Sequence, residues 1–137
     1  MILLFLIITM DIPMRPSDYY IKAFQHYADF EGRARRSEYW YFVLFHMLAT
    51  IVCFIPMILS RVFIFIPFVY MLAAIIPSIA LVVRRLHDTN KSGWLYLVAF
   101  IPLGGIVIFV FMCLEGDHGE NDYGPDPKED EYYESSY

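Results

Sequence analysis

Charge is missing from most of the chain. Between residues 39 and 83 only Arg61 carries a permanent charge, and residues 94–114 carry none. That leaves runs of 21 (39–59), 22 (62–83) and 21 (94–114) residues without Asp, Glu, Lys or Arg, which no soluble surface helix would have. Cysteine is also scarce. Cys53 and Cys113 are the two present, each inside an apolar run, where a thiol behaves as a small hydrophobe, so neither a disulfide framework nor a cysteine metal site is expected. The opening stretch MILLFLIITMD has no basic residue and no small-residue cleavage site; it is too short to span and a poor signal peptide, and translation is expected to start at Met14. There is no G-x-x-x-x-G-K-[ST], no G-x-S-x-G, no EF-hand spacing and no chain of acids through the apolar runs, which argues against nucleotide, acyl-transfer, calcium and proton-relay chemistry.

What is present is hydrophobic surface. Of the 137 residues 58% are hydrophobic, above the 45–50% or so of a soluble domain, and the excess must face lipid. Each apolar run would reach roughly 31–33 Å as a helix, enough for a hydrocarbon core of about 30 Å. Backbone groups in lipid must be satisfied within the chain, so the fold class expected is an all-α integral membrane protein, a small bundle of three transmembrane helices. Only Ser60 and Arg61 separate the first two runs, which forces a tight antiparallel hairpin. Pro56, Pro67, Pro77 and Pro102 interrupt the runs and predict kinks. Pro102-Leu103-Gly104-Gly105 offers the third run two fates, a full span or a re-entrant hairpin; the full span is favoured because Pro and Gly are commoner in membrane helices than in soluble ones.

Ahead of the runs, Tyr20, Ile21, Phe24, Tyr27 and Ala28 share one helical face of residues 17–30, with Lys22, Gln25, His26 and Asp29 on the other. This reads as an amphipathic helix at the membrane interface, or equally as one packed on the bundle. Ser17 is expected as its N-cap and Gly32 as its terminator, and Ser37 as the N-cap of the first span with Glu38 favourable in the first turn. The organisation is an N-terminal extension (1–16), a membrane domain (17–127) and an acidic tail (128–137) expected to be disordered.

The net charge of −5 averages two unlike parts, because residues 115–137 hold nine Asp or Glu against Lys128 alone. The rest is basic, and its basic residues cluster. Arg33, Arg35 and Arg36 precede the first run; Arg84, Arg85 and Lys91 follow the second. Two crossings separate the clusters, so both fall on one side, the cytoplasmic one by the positive-inside rule, with Tyr39, Trp40, Tyr41 and Trp94 at headgroup depth. The N-terminus is then inside and, with three spans, the C-terminus outside.

Three ordered stretches, FEGRARRSEYWYF (30–42), RRLHDTNKSGW (84–94) and GENDYGPDP (119–127), around hydrophobic spans, resemble the small bacterial inner-membrane proteins of domain-of-unknown-function family 805. The resemblance implies a multi-span inner-membrane protein and supplies no activity, substrate or catalytic residue. NDYGPDP itself is rich in turn formers and predicts a compact turn.

His87 beside Asp88 is the one pair suited to acid–base or metal chemistry, but no spacing completes a ligand set; no catalytic residue, metal or cofactor is expected. His46, two turns inside the first span, is read as structural. The candidate interaction residues are Arg33, Arg35, Arg36, Arg84, Arg85, His87, Asp88, Lys91 and Trp94, a set suited to anionic lipid headgroups or another membrane protein, or to self-association, and not to nucleic acid. Two other classes stay open: a small oligomeric transporter or channel subunit, and an interface enzyme using His87 and Asp88. Among so many cations Asp88 should pair with an arginine of the pre-span segment, leaving Arg84 and Arg85 partly free for phosphate.

Overall fold

The computed structural model describes residues 15–129; the segments 1–14, with the start expected at Met14, and 130–137 lie outside it. The described residues form helices and no strand beyond a single Asn121–Gly124 bridge. Helix α1 is Pro16–Gln25, α2 is Arg36–Leu59, α3 is Phe65–Asp88 and α4 is Gly104–Cys113, with 3₁₀ segments at Arg61–Ile64 and Gly93–Phe100.

Helices α2 and α3 are the two long apolar elements, each 24 residues, and they form the antiparallel pair that the Ser60-Arg61 link demands. The link is tight: Ser60 is extended, its Oγ accepts from the Val62 amide at 3.4 Å, and the chain re-enters helix through one 3₁₀ turn. Very little of the apolar surface of this pair is covered by the rest of the chain. Ile51, Val52 and Ile58 on α2 and Phe65, Phe68 and Val69 on α3 are exposed, Ile58 to 84%. Contiguous apolar surface on that scale is stable against hydrocarbon and not against water. Pro77 inside α3 leaves the Ala73 carbonyl without its helical donor, and the Tyr27 hydroxyl supplies one at 2.8 Å.

Helix α1 packs on protein, the second of the two fates its amphipathic pattern allowed. Tyr19 and Ala23 are buried, Tyr20 stacks near Phe42, and the Tyr20 hydroxyl lies 2.9 Å from that of Tyr70 on α3. Tyr70 in turn meets His46 Nδ1 at 2.7 Å, so the imidazole inside the first span is satisfied by a neighbouring helix. The helix starts differ by a residue or two from those expected from Ser17 and Ser37. Pro16 takes N1 of α1, where its missing N–H costs nothing, and Arg35 stands at the N-cap of α2. Gly32 (φ +74°) turns the linker well after α1 has ended at Gln25.

The third apolar run is not one continuous helix, as the full span favoured above would have it. It is a 3₁₀ limb, Gly93–Phe100, and an α limb, α4, joined at Ile101-Pro102-Leu103, with Leu103 in the left-handed region (φ +66°). The limbs pack on each other, and Gly104 touches the Val98 carbonyl so closely that a β-carbon there would overlap it. The run begins just after Asp88; it ends with Met112 accepting from Trp40 Nε1 at 3.2 Å and Asp117 donating its amide to the Asp88 carbonyl at 2.8 Å. Trp40 and Asp88 both stand at the polar end of the α2–α3 pair. The run is therefore a hairpin that returns to the end it left, and residues 115–129 share that end with the start of α2. The expected outside placement of the C-terminus depended on three crossings, and residues 130–137 lie outside the described residues. Pro102 and Gly104 decide the outcome: one withholds a helix donor and the other permits backbone contact.

Candidate functional site

The polar end is built on the last turn of α3. Arg84, Arg85, His87 and Asp88 are all buried there, an arrangement that needs every charge paired. Asp88 receives two guanidiniums. Arg33 donates from Nε to Oδ1 at 3.0 Å, and Arg85, one turn back on α3, donates to Oδ2. The Arg33 side chain is 1% exposed and the Arg85 side chain 0%. The expected pairing of Asp88 with a pre-span arginine is observed, with Arg33 as the partner.

Two cations on one carboxylate leave donors over, since each guanidinium carries five N–H groups. Backbone carbonyls of the C-terminal segment take several of them, while the buried Arg85 Nε finds no partner among the described residues. Arg33 donates through Nη1 to Gly119 at 2.6 Å and through Nη2 to Asp117; Arg85 donates through Nη2 to Leu114, and Arg35 through Nη2 to Pro127. Gly116 lies against the Asp88 carboxylate, where any β-carbon would overlap it. The segment is shaped for the task. Asp126 accepts from the amides of Gly119 (2.8 Å) and Lys128 (2.9 Å), Asn121 Oδ1 accepts from Tyr123 (2.9 Å), and Asn121 Nδ2 donates to the His87 carbonyl (2.9 Å). This is the compact turn that NDYGPDP predicts. At its exposed margin Lys128 hydrogen-bonds Glu115 at 3.1 Å and holds that carboxyl below its ordinary pKa; the contact weakens as pH falls through that lowered value.

A second ion cluster joins the helices. Glu38, buried on α2, meets Lys22 of α1 at 2.7 Å and Arg84 of α3 at 3.4 Å. In the sequence Glu38 offers only a favourable charge in the first turn of α2; its meeting with Lys22 and Arg84 comes from the packing of three helices. The Ala34 amide adds a bond to the Arg84 carbonyl at 3.0 Å.

His87 is equally committed. Its Nδ1 lies 3.1 Å from the Gly32 carbonyl, an acceptor only, so Nδ1 carries the proton and Nε2 is left as an acceptor in the neutral ring. The ring stacks on Tyr123 with centroids 3.9 Å apart. Lys91 and Trp94 are exposed, Trp94 to 80%.

Of the nine candidate residues, the structure thus draws Arg33, Arg35, Arg84, Arg85, His87 and Asp88 into internal contacts, with Arg36 half-buried beside them at the start of α2. Lys91 and Trp94 face outward. The expectation that Arg84 and Arg85 stay partly free for phosphate is corrected: both are buried, Arg84 against Glu38 of α2 and Arg85 against Asp88 and the Leu114 carbonyl. Among the described residues no group of three or more His, Cys, Asp or Glu side chains is placed to hold a metal ion.

Two membrane-length helices closed at one end by a buried ion-pair knot define a small helical membrane protein. Residues 27–125 match the family described as protein of unknown function (DUF805), and the chain belongs to that family. The inner membrane protein YhaI of Escherichia coli K12 is 43% identical over 112 residues, covering 80% of this chain and 95% of that protein. The inner membrane protein YhaH of the same organism is 38% identical over 120 residues, covering 81% of this chain and 97% of that protein. No solved structure gives a significant match. These relatives and the apolar helices make the chain an inner-membrane protein of unknown activity. The three motifs that carry the family resemblance are the three segments of the knot: 30–42 supplies Arg33, Arg35 and Glu38, 84–94 supplies Arg84, Arg85, His87 and Asp88, and 119–127 supplies the carbonyls of Gly119, Gly124 and Pro127, with those of Leu114 and Asp117 just ahead of it.

Proposed function

We propose that the protein is a non-enzymatic inner-membrane component with two spans and a re-entrant hairpin, whose basic end lies in the cytoplasm and engages anionic phospholipid headgroups. The observation that carries the reading is that the third apolar run both starts and finishes at the Arg33–Asp88–Arg85 knot. Its limbs, eight 3₁₀ residues and ten α residues, are each about 15–16 Å long, half of a hydrocarbon core of about 30 Å. A half-depth hairpin keeps both basic clusters and residues 115–129 on one side, which the positive-inside rule makes cytoplasmic. Headgroup contact then falls to the exposed Lys91 and Trp94, since the arginines serve the fold.

The topology is tested with single cysteines in a Cys53→Ala, Cys113→Ala background. In spheroplasts a membrane-impermeant maleimide should label Arg61→Cys directly and Glu129→Cys only after permeabilisation. Direct labelling of Glu129→Cys would restore the three-span arrangement. Headgroup binding is read separately, by the lipids retained in native nanodiscs: Lys91→Glu should reduce the enrichment of anionic over zwitterionic phospholipid. Unchanged enrichment would leave the cytoplasmic end to a protein partner.

A further inference from the structure

We infer that the cleft between α3 and the 3₁₀ limb is a binding site for one acyl chain of a membrane phospholipid. The cleft encloses about 510 Å³ and is walled by Ile79, Val83, Leu97 and Tyr96, with Phe30, Trp94 and the His87–Tyr123 stack around its mouth. Its lining is graded. His87 and Ser92 give polar atoms at the end next to the knot, and aliphatic side chains continue below. From His87 down to Ile79 is eight helical residues, about 12 Å, close to the hydrocarbon depth of one leaflet at about 15 Å. A long molecule with a polar head and an apolar tail fits that gradient. A water-filled cleft does not, since water needs polar partners that the lower walls lack.

Two features keep the cleft open at the top. Gly93 lies where a β-carbon would stand 2.6 Å from Val83 Cγ1 and 3.4 Å from His87 Nε2, so only glycine lets the 3₁₀ limb start this close to α3 without pushing the mouth apart. The stack of His87 on Tyr123 fixes the ring so that its unprotonated Nε2 is turned toward Gly93 and the mouth. Lys91, exposed and next in sequence to the mouth residue Ser92, places a cation where the phosphate of a lipid so bound would lie.

The inference deepens the headgroup reading and rests on the hairpin putting the mouth at headgroup depth. It is tested on the full chain in phosphatidylglycerol-containing vesicles doped with a phospholipid that bears a photoactivatable group mid-chain. In the unaltered protein cross-links should concentrate on the peptide carrying Ile79 and Val83 and on that carrying Leu97, over the lipid-facing stretch 68–72 of α3. Ile79→Trp, which fills the cleft, should lower the yield there about tenfold, equivalent to a tenfold loss of affinity, while Leu72→Trp on the open face should leave it unchanged. Labelling spread evenly along α3 would mean annular lipid alone and overturn the site. So would labelling unaffected by Ile79→Trp in a variant that keeps its melting temperature. The unaltered protein's cross-link map decides the matter even where a variant fails to fold, and the cysteine labelling above reports the topology independently, so failure of the hairpin and failure of the site give different results.

Discussion

Asp88→Ala should destabilise the protein in mild detergent by about 3–5 kcal/mol, the cost of breaking a buried pair from one side, while Lys91→Ala should change stability by no more than about 0.5 kcal/mol. The two residues lie three positions apart in one polar stretch, and their charges are equally conspicuous in the sequence. Their surroundings differ. Asp88 is the one counter-charge shared by two guanidiniums that are themselves sealed from solvent, so its removal leaves two buried cations held only by carbonyl dipoles. Lys91 is exposed and returns to solvent or headgroups unchanged. Melting temperatures of the two purified variants measure the difference, and Asp88→Asn, which retains acceptor oxygen without charge, should fall between them. Equal melting temperatures for Asp88→Ala and Lys91→Ala would remove the knot from the account of stability.

Gly104→Ala and Gly105→Ala should have opposite effects. At Gly104 the added methyl meets backbone, the Val98 carbonyl, which no rotamer change relieves; at Gly105 nothing lies within 4 Å. Overpacking of this kind costs about 1–3 kcal/mol, and opening the hairpin is the only relief. Gly105, in the first turn of α4, instead gains up to about 1 kcal/mol of helix propensity. A continuous third span predicts something else, since both glycines would then be interior helix positions and both substitutions would stabilise. Thermal unfolding combined with protease sensitivity of residues 93–113 distinguishes the two, and a stabilised Gly104→Ala would refute the hairpin.

The two long helices were legible because length without charge has few other solutions. So was the partner of Asp88: a carboxylate among six basic residues, at a span end forced next to the pre-span segment by an antiparallel pair, had an arginine within reach on geometry alone. The fate of the third run was not legible. Pro102-Leu103-Gly104-Gly105 has the same hydropathy in a kinked span as in a hairpin, and the choice depends on a backbone contact between Gly104 and Val98 that no composition records. The burial of Arg84 and Arg85 was hidden for a related reason. Arginine at a span end is ordinarily a headgroup residue; here Arg84 turns to the Glu38 carboxylate of α2 and Arg85 to Asp88 and the Leu114 carbonyl, partners that only the packed chain brings together. The one signal available was the presence of GENDYGPDP in the same chain as the two arginine motifs, three stretches that the fold brings to one end.

The reach of Arg33 has a consequence for how the molecule is made. Its hydrogen bonds to Gly119 and Gly124 span 86 and 91 residues, close to the longest separations the described chain contains. Contacts so distant in sequence form late, after the cost of closing the intervening chain has been met. During synthesis Arg33 must therefore wait, hydrated, while the intervening chain is made, and it loses that water only once Gly119 and Gly124 have left the ribosome. A chain that ends before Gly119 therefore lacks the Gly119 and Gly124 carbonyls, and Arg33 keeps its water at those positions.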